Sequence, residues 1–293
     1  MAAPQHILPG LQPLFALAND RLGDAFVGAQ HELEQLPYFL RSAFTAVELV
    51  VEVQREVVSR RLPSLKRGSV GLFAPDEHVL LSYHMDGFLF AARRSQDAIL
   101  PFIKRLGITQ NLPRSMSDLV KGLRGSKRES WSLDPEIEKI CLNYWDSHGL
   151  RLKQYRDLAS HYCVVSSEAN YFYGPDGEPG VYLGLPNNPG CRSPADLSYE
   201  PPTLAVPYCL KEYFELVGFL DRLVERLIDL AAGDMDPVKA RRRGIILTPY
   251  KRRRLVFDGR GFVQPGHVLP PEGVVLALHS QFLRAKRSAA SGS

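Results

Sequence analysis

The chain has 293 residues, of which 45% are hydrophobic and 23% charged, an ordinary globular composition with enough apolar material for a sizeable core. No run reaches the roughly 18 consecutive apolar residues that a membrane span needs, and Met1–Gly10 lacks a basic stretch followed by an apolar one, so neither a membrane helix nor a secretory leader is expected. The formal charge of +4 is uneven: from Gly233 onward twelve Lys/Arg stand against four Asp/Glu, a net of +8 that leaves −4 on the first 232 residues.

Residues 1–36 mix proline, glycine and apolar positions, with a short helix expected over Leu14–His31. Pro37 precedes a run from Tyr38 to Val57 in which Phe44, Val47 and Val51 recur at helical spacing, with Glu48, Glu52, Arg55 and Glu56 on the other face. Asp76 and Glu77 favour the start of a second helix, His78–Leu100, which Pro101 kinks or interrupts. Ser115-x-x-Asp118 reads as a capping box for a short helix, followed by a basic glycine-containing loop, Lys121–Ser130. Asp134-Pro135 is a start signal, an Asp cap followed by proline at the first helical position. The helix it begins runs to about Val165 and spans about 45 Å.

Asn170–Leu185 changes character. Tyr171-Phe172-Tyr173, a Gly174-Pro175-Asp176-Gly177 turn and Val181-Tyr182-Leu183 together read as a β-hairpin. A Pro- and Asn-rich loop follows, then a fourth helix, Tyr208–Ala232, with Phe214, Val217, Leu220, Val224 and Leu227 on one stripe. Beyond Gly233, runs such as Gly244–Leu247 and Val274–Leu278 are strand-like but broken by Pro and Gly, and Ser288–Ser293 is expected to be disordered. The organisation is therefore an extension (1–36), a helical domain (37–232) and a basic C-terminal segment, partly extended or disordered (233–293). The basic clusters Arg241–Arg243 and Lys251–Arg254 fit a solvated face or a polyanionic partner. The four cysteines, Cys141, Cys163, Cys191 and Cys209, lack any Cys-x2-Cys pairing. Reduced thiols in a soluble cytoplasmic protein are the simpler expectation.

The chemically suggestive feature is Arg156-x4-His161 on the third helix. Asp157 and His161 are four apart and share a face, whereas Arg156 lies five before His161, about 140° around the helix. A surface arginine beside a hydrogen-bonded histidine accounts for this pair as well as a phosphate cleft does. On the second helix, Arg93 and Asp97 are four apart, the spacing of an intrahelical ion pair.

Arg-x4-His with a polar residue after the arginine, on a helix, resembles the hallmark of the HEPN family of helical bundles. The Asp86-Gly87-Phe88-Leu89-Phe90-Ala91-Ala92-Arg93 helix is similar to one in bacterial HEPN-like proteins. The resemblance covers about residues 38–232. It implies a mainly α fold, a HEPN-like helical bundle with an inserted β-hairpin and an irregular basic C-terminal appendage. It also implies a metal-independent endoribonuclease without cofactor, of a toxin or phage-defence kind, acting on RNA as a homodimer with a possible antitoxin or other protein partner. In that reading His161 transfers protons, Arg156 stabilises phosphate charge, Asp157 orients His161, and Arg94 and Arg93 line the substrate cleft. Some toxin members carry a tyrosine two residues after the histidine as an antitoxin target; here Tyr162 is adjacent and Cys163 follows. Not every HEPN domain is catalytic, and a dimerisation module or a nucleotide- or partner-binding module is the alternative.

Overall fold

The structure is a computed structural model, and it describes residues 8, 10–22, 26–106, 108, 112–125, 133–161, 169–174, 177, 179–191, 193–201, 203–233, 256–257, 262–264 and 267–268. It is mainly helical. In chain order the helices are α1 (Leu11–Leu22), α2 (Phe26–Arg61), α3 (Pro75–Arg105), α4 (Met116–Arg124), α5 (Pro135–Tyr144), α6 (Leu150–His161) and α7 (Ala205–Ala232). A single π turn, Trp145–Gly149, joins α5 to α6. Strands β1 (Val70–Leu72), β2 (Ala169–Tyr173), β3 (Pro179–Leu185) and β4 (Thr203–Leu204) form one antiparallel sheet in that order. A second antiparallel sheet joins β5 (Val256–Phe257), β6 (Phe262–Gln264) and β7 (His267–Val268). No described helix is long and apolar enough to cross a membrane.

Several elements form where their residues predict. Ser115 caps α4, its hydroxyl accepting from the Asp118 N–H and donating to the Asp118 carboxylate. Asp134 caps α5, accepting from the Glu136 and Ile137 N–H groups, a contribution of about 1 kcal/mol. The hairpin forms as β2 and β3, with Tyr171 opposite Val181. Gly177 supplies a positive φ of 84° between them, a conformation glycine adopts freely.

Other boundaries differ. Pro37 lies inside α2 and Pro101 inside α3, so neither breaks its helix; each removes one amide donor and leaves the rest of the ladder to carry on. Consequently the expected division at residue 36/37 falls within a helix. The expected Leu14–His31 helix is instead α1 followed by the start of α2. Lys121–Arg124 belong to α4 and not to a loop. Gly244–Leu247, Val274–Leu278, Ser288–Ser293 and both C-terminal basic clusters lie outside the described residues, as do Tyr162 and Cys163.

The chain divides into two units, each of three segments: 1–44, 89–156 and 211–250 in the first, 45–88, 157–210 and 251–293 in the second. In the first, α7 is the hub. Gly10 lies so close to α7 that a Cβ there would meet Val224 Cγ1 at 2.7 Å, and Arg21 donates to the Leu230 carbonyl at 3.3 Å. Phe44 of α2 packs on Tyr213, and Tyr144 of α5 stacks on Phe219 at 4.2 Å between centroids. Arg226 of α7 reaches the α5 cap Asp134 through two hydrogen bonds, at 2.9 and 2.6 Å. Buried leucines such as Leu33, Leu36, Leu40, Leu216, Leu220 and Leu227 form the apolar filling.

The second unit is organised around the four-stranded sheet. Gly71 faces Tyr171 and Gly180 faces Phe172 across the strands, and a Cβ at either glycine would meet the opposing ring at 2.2 Å. The far ends of the rings therefore lie over the glycines, where any side chain would displace them. Glu77 at the start of α3 accepts from Arg60 at 2.7 Å and Arg61 at 2.8 Å, and Phe73 meets Tyr171 edge-on at 5.7 Å.

Candidate functional site

The α5–π–α6 segment carries most of the chemistry. Its π turn is defined by the Leu150 N–H donating to the Trp145 carbonyl, five residues back. Gly149 sits in this turn, and a Cβ there would meet Trp145 Cε3 at 3.0 Å, Tyr144 Cε1 at 3.2 Å and Gln96 Nε2 at 3.5 Å. The missing side chain lets the turn lie close against α3. Such single π turns recur at functional sites, where they re-aim side chains.

Around this turn the first unit holds a connected polar cluster. Arg93 of α3 is only 5% exposed, and its Nη1 donates to Gln96 Oε1 at 2.9 Å and Asp97 Oδ1 at 2.6 Å. Its guanidinium lies over the Trp145 ring at 5.7 Å. Gln96 Nε2 donates to the Tyr144 hydroxyl at 2.9 Å. Asp97 Oδ1 also accepts from the Met116 N–H at the start of α4, at 2.7 Å. Burial pushes the Asp97 carboxyl above its ordinary range, while the Arg93 charge, the Met116 amide and, more weakly, the Arg156 charge pull the other way. Burial likewise raises the Tyr144 phenol, so it stays a neutral hydrogen-bonding group.

Next to it, His148 is held between two carboxylates of α7: Nδ1 lies 3.2 Å from Glu212 Oε2 and Nε2 lies 3.6 Å from Glu215 Oε2. Glu212 is buried, and burial raises its carboxyl more than the His148 charge lowers it. The Tyr144 and His148 rings stack at 6.1 Å.

The residues singled out from sequence fall as follows. Arg93 forms the ion pair with Asp97 that its i, i+4 spacing predicts. Arg94, one residue on, points about 100° away; it is exposed and lies over the Phe39 ring at 5.5 Å. Arg156 and Asp157 are half-buried and His161 is exposed, all on α6. Leu152, Tyr155 and Leu158 form the buried ridge of that helix. The Arg156 charge, more weakly than that of Arg93, draws the Asp97 carboxyl down. The division between the two units falls directly after Arg156. Gln96, Tyr144, His148 and Glu212 escaped the sequence reading. Only Gln96 carried a local signal, three residues after Arg93; the others join through partners 48 and 64 residues away.

Among the described residues no group of three or more His, Cys, Asp or Glu is placed to hold a metal ion. Cys141, Cys191 and Cys209 are free thiols, and burial pushes the Cys141 thiol up to about 12, which removes its thiolate at neutral pH. In comparisons with models of known families, with curated proteins and with solved structures, the chain finds no match.

Proposed function

We propose that the chain is a HEPN-type, metal-independent endoribonuclease in which Arg156 and His161 carry the chemistry. The observation that carries this reading is that Arg156, Asp157 and His161 lie on one regular helix, α6, with Arg156 half-buried and His161 open to solvent. In the reaction the ribose 2′-OH attacks the adjacent phosphorus and the bond to the 5′-oxygen breaks. The products are a 2′,3′-cyclic phosphate and a free 5′-OH. His161 takes or gives the proton that moves, because imidazole titrates near neutrality. Arg156 holds the phosphate oxygens through paired N–H donors as charge builds on them. Asp157, four residues before His161, orients the ring. The Arg93–Asp97 pair gives Arg156 a fixed electrostatic neighbour, which supports a preorganised phosphate site. A toxin or phage-defence role, a second copy completing the cleft and an antitoxin partner belong to the same reading.

A second reading is a non-catalytic HEPN-like module for dimerisation or for binding a nucleotide or a partner. The commitment of Arg93 to Asp97, Gln96 and Trp145 inside the bundle favours it, since a structural cluster needs no substrate. Labelled RNA incubated with the purified chain in EDTA separates the two. Cleavage that drops at least about a hundredfold in Arg156→Ala and His161→Ala supports the nuclease, by the usual scale of acid–base and charge-stabilising groups. Equal cleavage by wild type and both variants ends the catalytic assignment.

A further inference from the structure

The first unit holds a titratable cluster that the nuclease reading does not use. His148 stands in the π turn between α5 and α6, with 16% of its side chain exposed. Both of its ring nitrogens face carboxylates of α7. Nδ1 lies 3.3 Å from Glu212 Oε1 and 3.2 Å from Oε2, and Nε2 lies 3.6 Å from Glu215 Oε2. Glu212 and Glu215 are three apart and share a face of their helix, so one ring spans both.

The number of protons decides what this arrangement does. A neutral imidazole carries one N–H and donates to one carboxylate, and its other nitrogen then turns a lone pair on the second. An imidazolium carries a donor on each side. Glu212 makes the difference matter. It is buried, its Oε2 accepts no hydrogen bond among the described residues, and burial raises its carboxyl above the ordinary range. Its charge is therefore tolerated best opposite a charged ring. The other groups around the ring do not replace that proton. Tyr144 of α5, stacked on the ring, stays a neutral phenol. Asp146, on the same turn, is engaged by Arg124 of α4. Arg93 of α3 is committed to Asp97. Lys211 of α7 lowers the Glu212 carboxyl less than His148 does.

Loss of the proton bears on the turn itself. Gly149, next to His148, is seated against Trp145, Tyr144 and Gln96. The α6 helix begins at Leu150, whose N–H closes the turn on the Trp145 carbonyl. Whatever holds the turn to α7 thus also sets where the helix of Arg156 starts.

We infer that His148, Glu212 and Glu215 form a proton-dependent latch, in which the imidazolium ties the π turn to α7 and its deprotonation releases the turn. The sign is the same for both kinds of group. A carboxyl raised by burial opposes folding increasingly as pH climbs above its ordinary 4.5. Imidazole gives up its proton between about pH 5 and pH 8. The latch is therefore shut in mildly acidic solution and open in mildly alkaline solution. Control of Arg156 by the latch rests on the nuclease reading, whereas the latch itself is read without RNA.

Hydrogen exchange of the full chain tests it, followed over residues 141–152 at about pH 5.5 and about pH 8 and corrected for the intrinsic rate of exchange. The wild type is expected to lose protection there at least about tenfold at the higher pH, while α1 changes less than about twofold. His148→Gln is expected to erase the difference between the two pH values. Glu212→Gln is expected to stay protected at both, because its amide partners the neutral ring without a buried charge. Equal wild-type protection at the two pH values overturns the inference. So does a loss shared by α1, or a loss of the wild-type size in either His148→Gln or Glu212→Gln.

Discussion

Along α3, one face carries Arg93, Gln96 and Asp97 inside the first unit, whereas another carries Val79, Tyr83 and Phe90 in the open. The two faces answer to different physics. A buried charge is costly unless it is paired and hydrogen-bonded; Arg93 Nη1 meets Gln96 and Asp97 and the guanidinium lies over Trp145, while its buried Nε has no hydrogen-bond partner among the described residues. Exposed apolar surface carries no such internal requirement, so its cost falls on the single chain in water. The buried polar face therefore holds the unit together, and the exposed apolar face leaves its stability almost untouched.

That contrast can be broken most directly at Asp97. Asp97→Ala leaves the Arg93 charge buried without its carboxylate and strands the Met116 N–H, and a loss of about 3 kcal/mol in chemical denaturation is expected. Asp134→Ala removes a helix cap and the Arg226 pair and should cost about 1–2 kcal/mol at pH 7. The Arg226 hydrogen bonds hold the Asp134 carboxyl below its ordinary range. A carboxyl with a depressed pKa stabilises the fold above its unfolded value and loses that contribution as pH falls, so the Asp134→Ala penalty should shrink below about pH 4. Asp86 behaves oppositely. Burial raises it to about 6, and its Oδ1 has no hydrogen-bond partner among the described residues. Its ionisation opposes folding above its ordinary value of 3.8, so Asp86→Asn should stabilise the chain at pH 8, by about 1 kcal/mol after solvent screening, and not below about pH 4. The smallest effect belongs to the open face: Tyr83→Ser should change the unfolding free energy of the monomer by less than about 0.5 kcal/mol.

Signals that are local in sequence were legible. The Ser115 and Asp134 caps, the Tyr171–Leu183 hairpin and the Arg93–Asp97 spacing each depend on residues a few positions apart, and each formed. Proline misled at Pro37 and Pro101, because a long helix tolerates one missing amide donor that a sequence reading takes as an end. Strands β1 and β4, three and two residues long, are too short for alternation to show. The π turn left a single trace, Gly149, which reads equally as an ordinary helical glycine. The polar cluster was half legible: Arg93 and Asp97 share a helix, while Tyr144 and the His148–Glu212 pair depend on which helices pack together. For the motif itself, sequence supplied the spacing and the structure supplied the helix and the exposure of each residue. The chemistry rests on the resemblance.

We propose that Arg156 and His161 cut RNA by internal attack of a 2′-OH. The most direct measurement is the end chemistry of labelled RNA after incubation with the full chain in EDTA. Fragments ending in a 2′,3′-cyclic phosphate and a free 5′-OH are expected from the wild type and are expected to be lost in His161→Ala. Intact RNA with the wild type, or the same fragments from His161→Ala at the same rate, would contradict it.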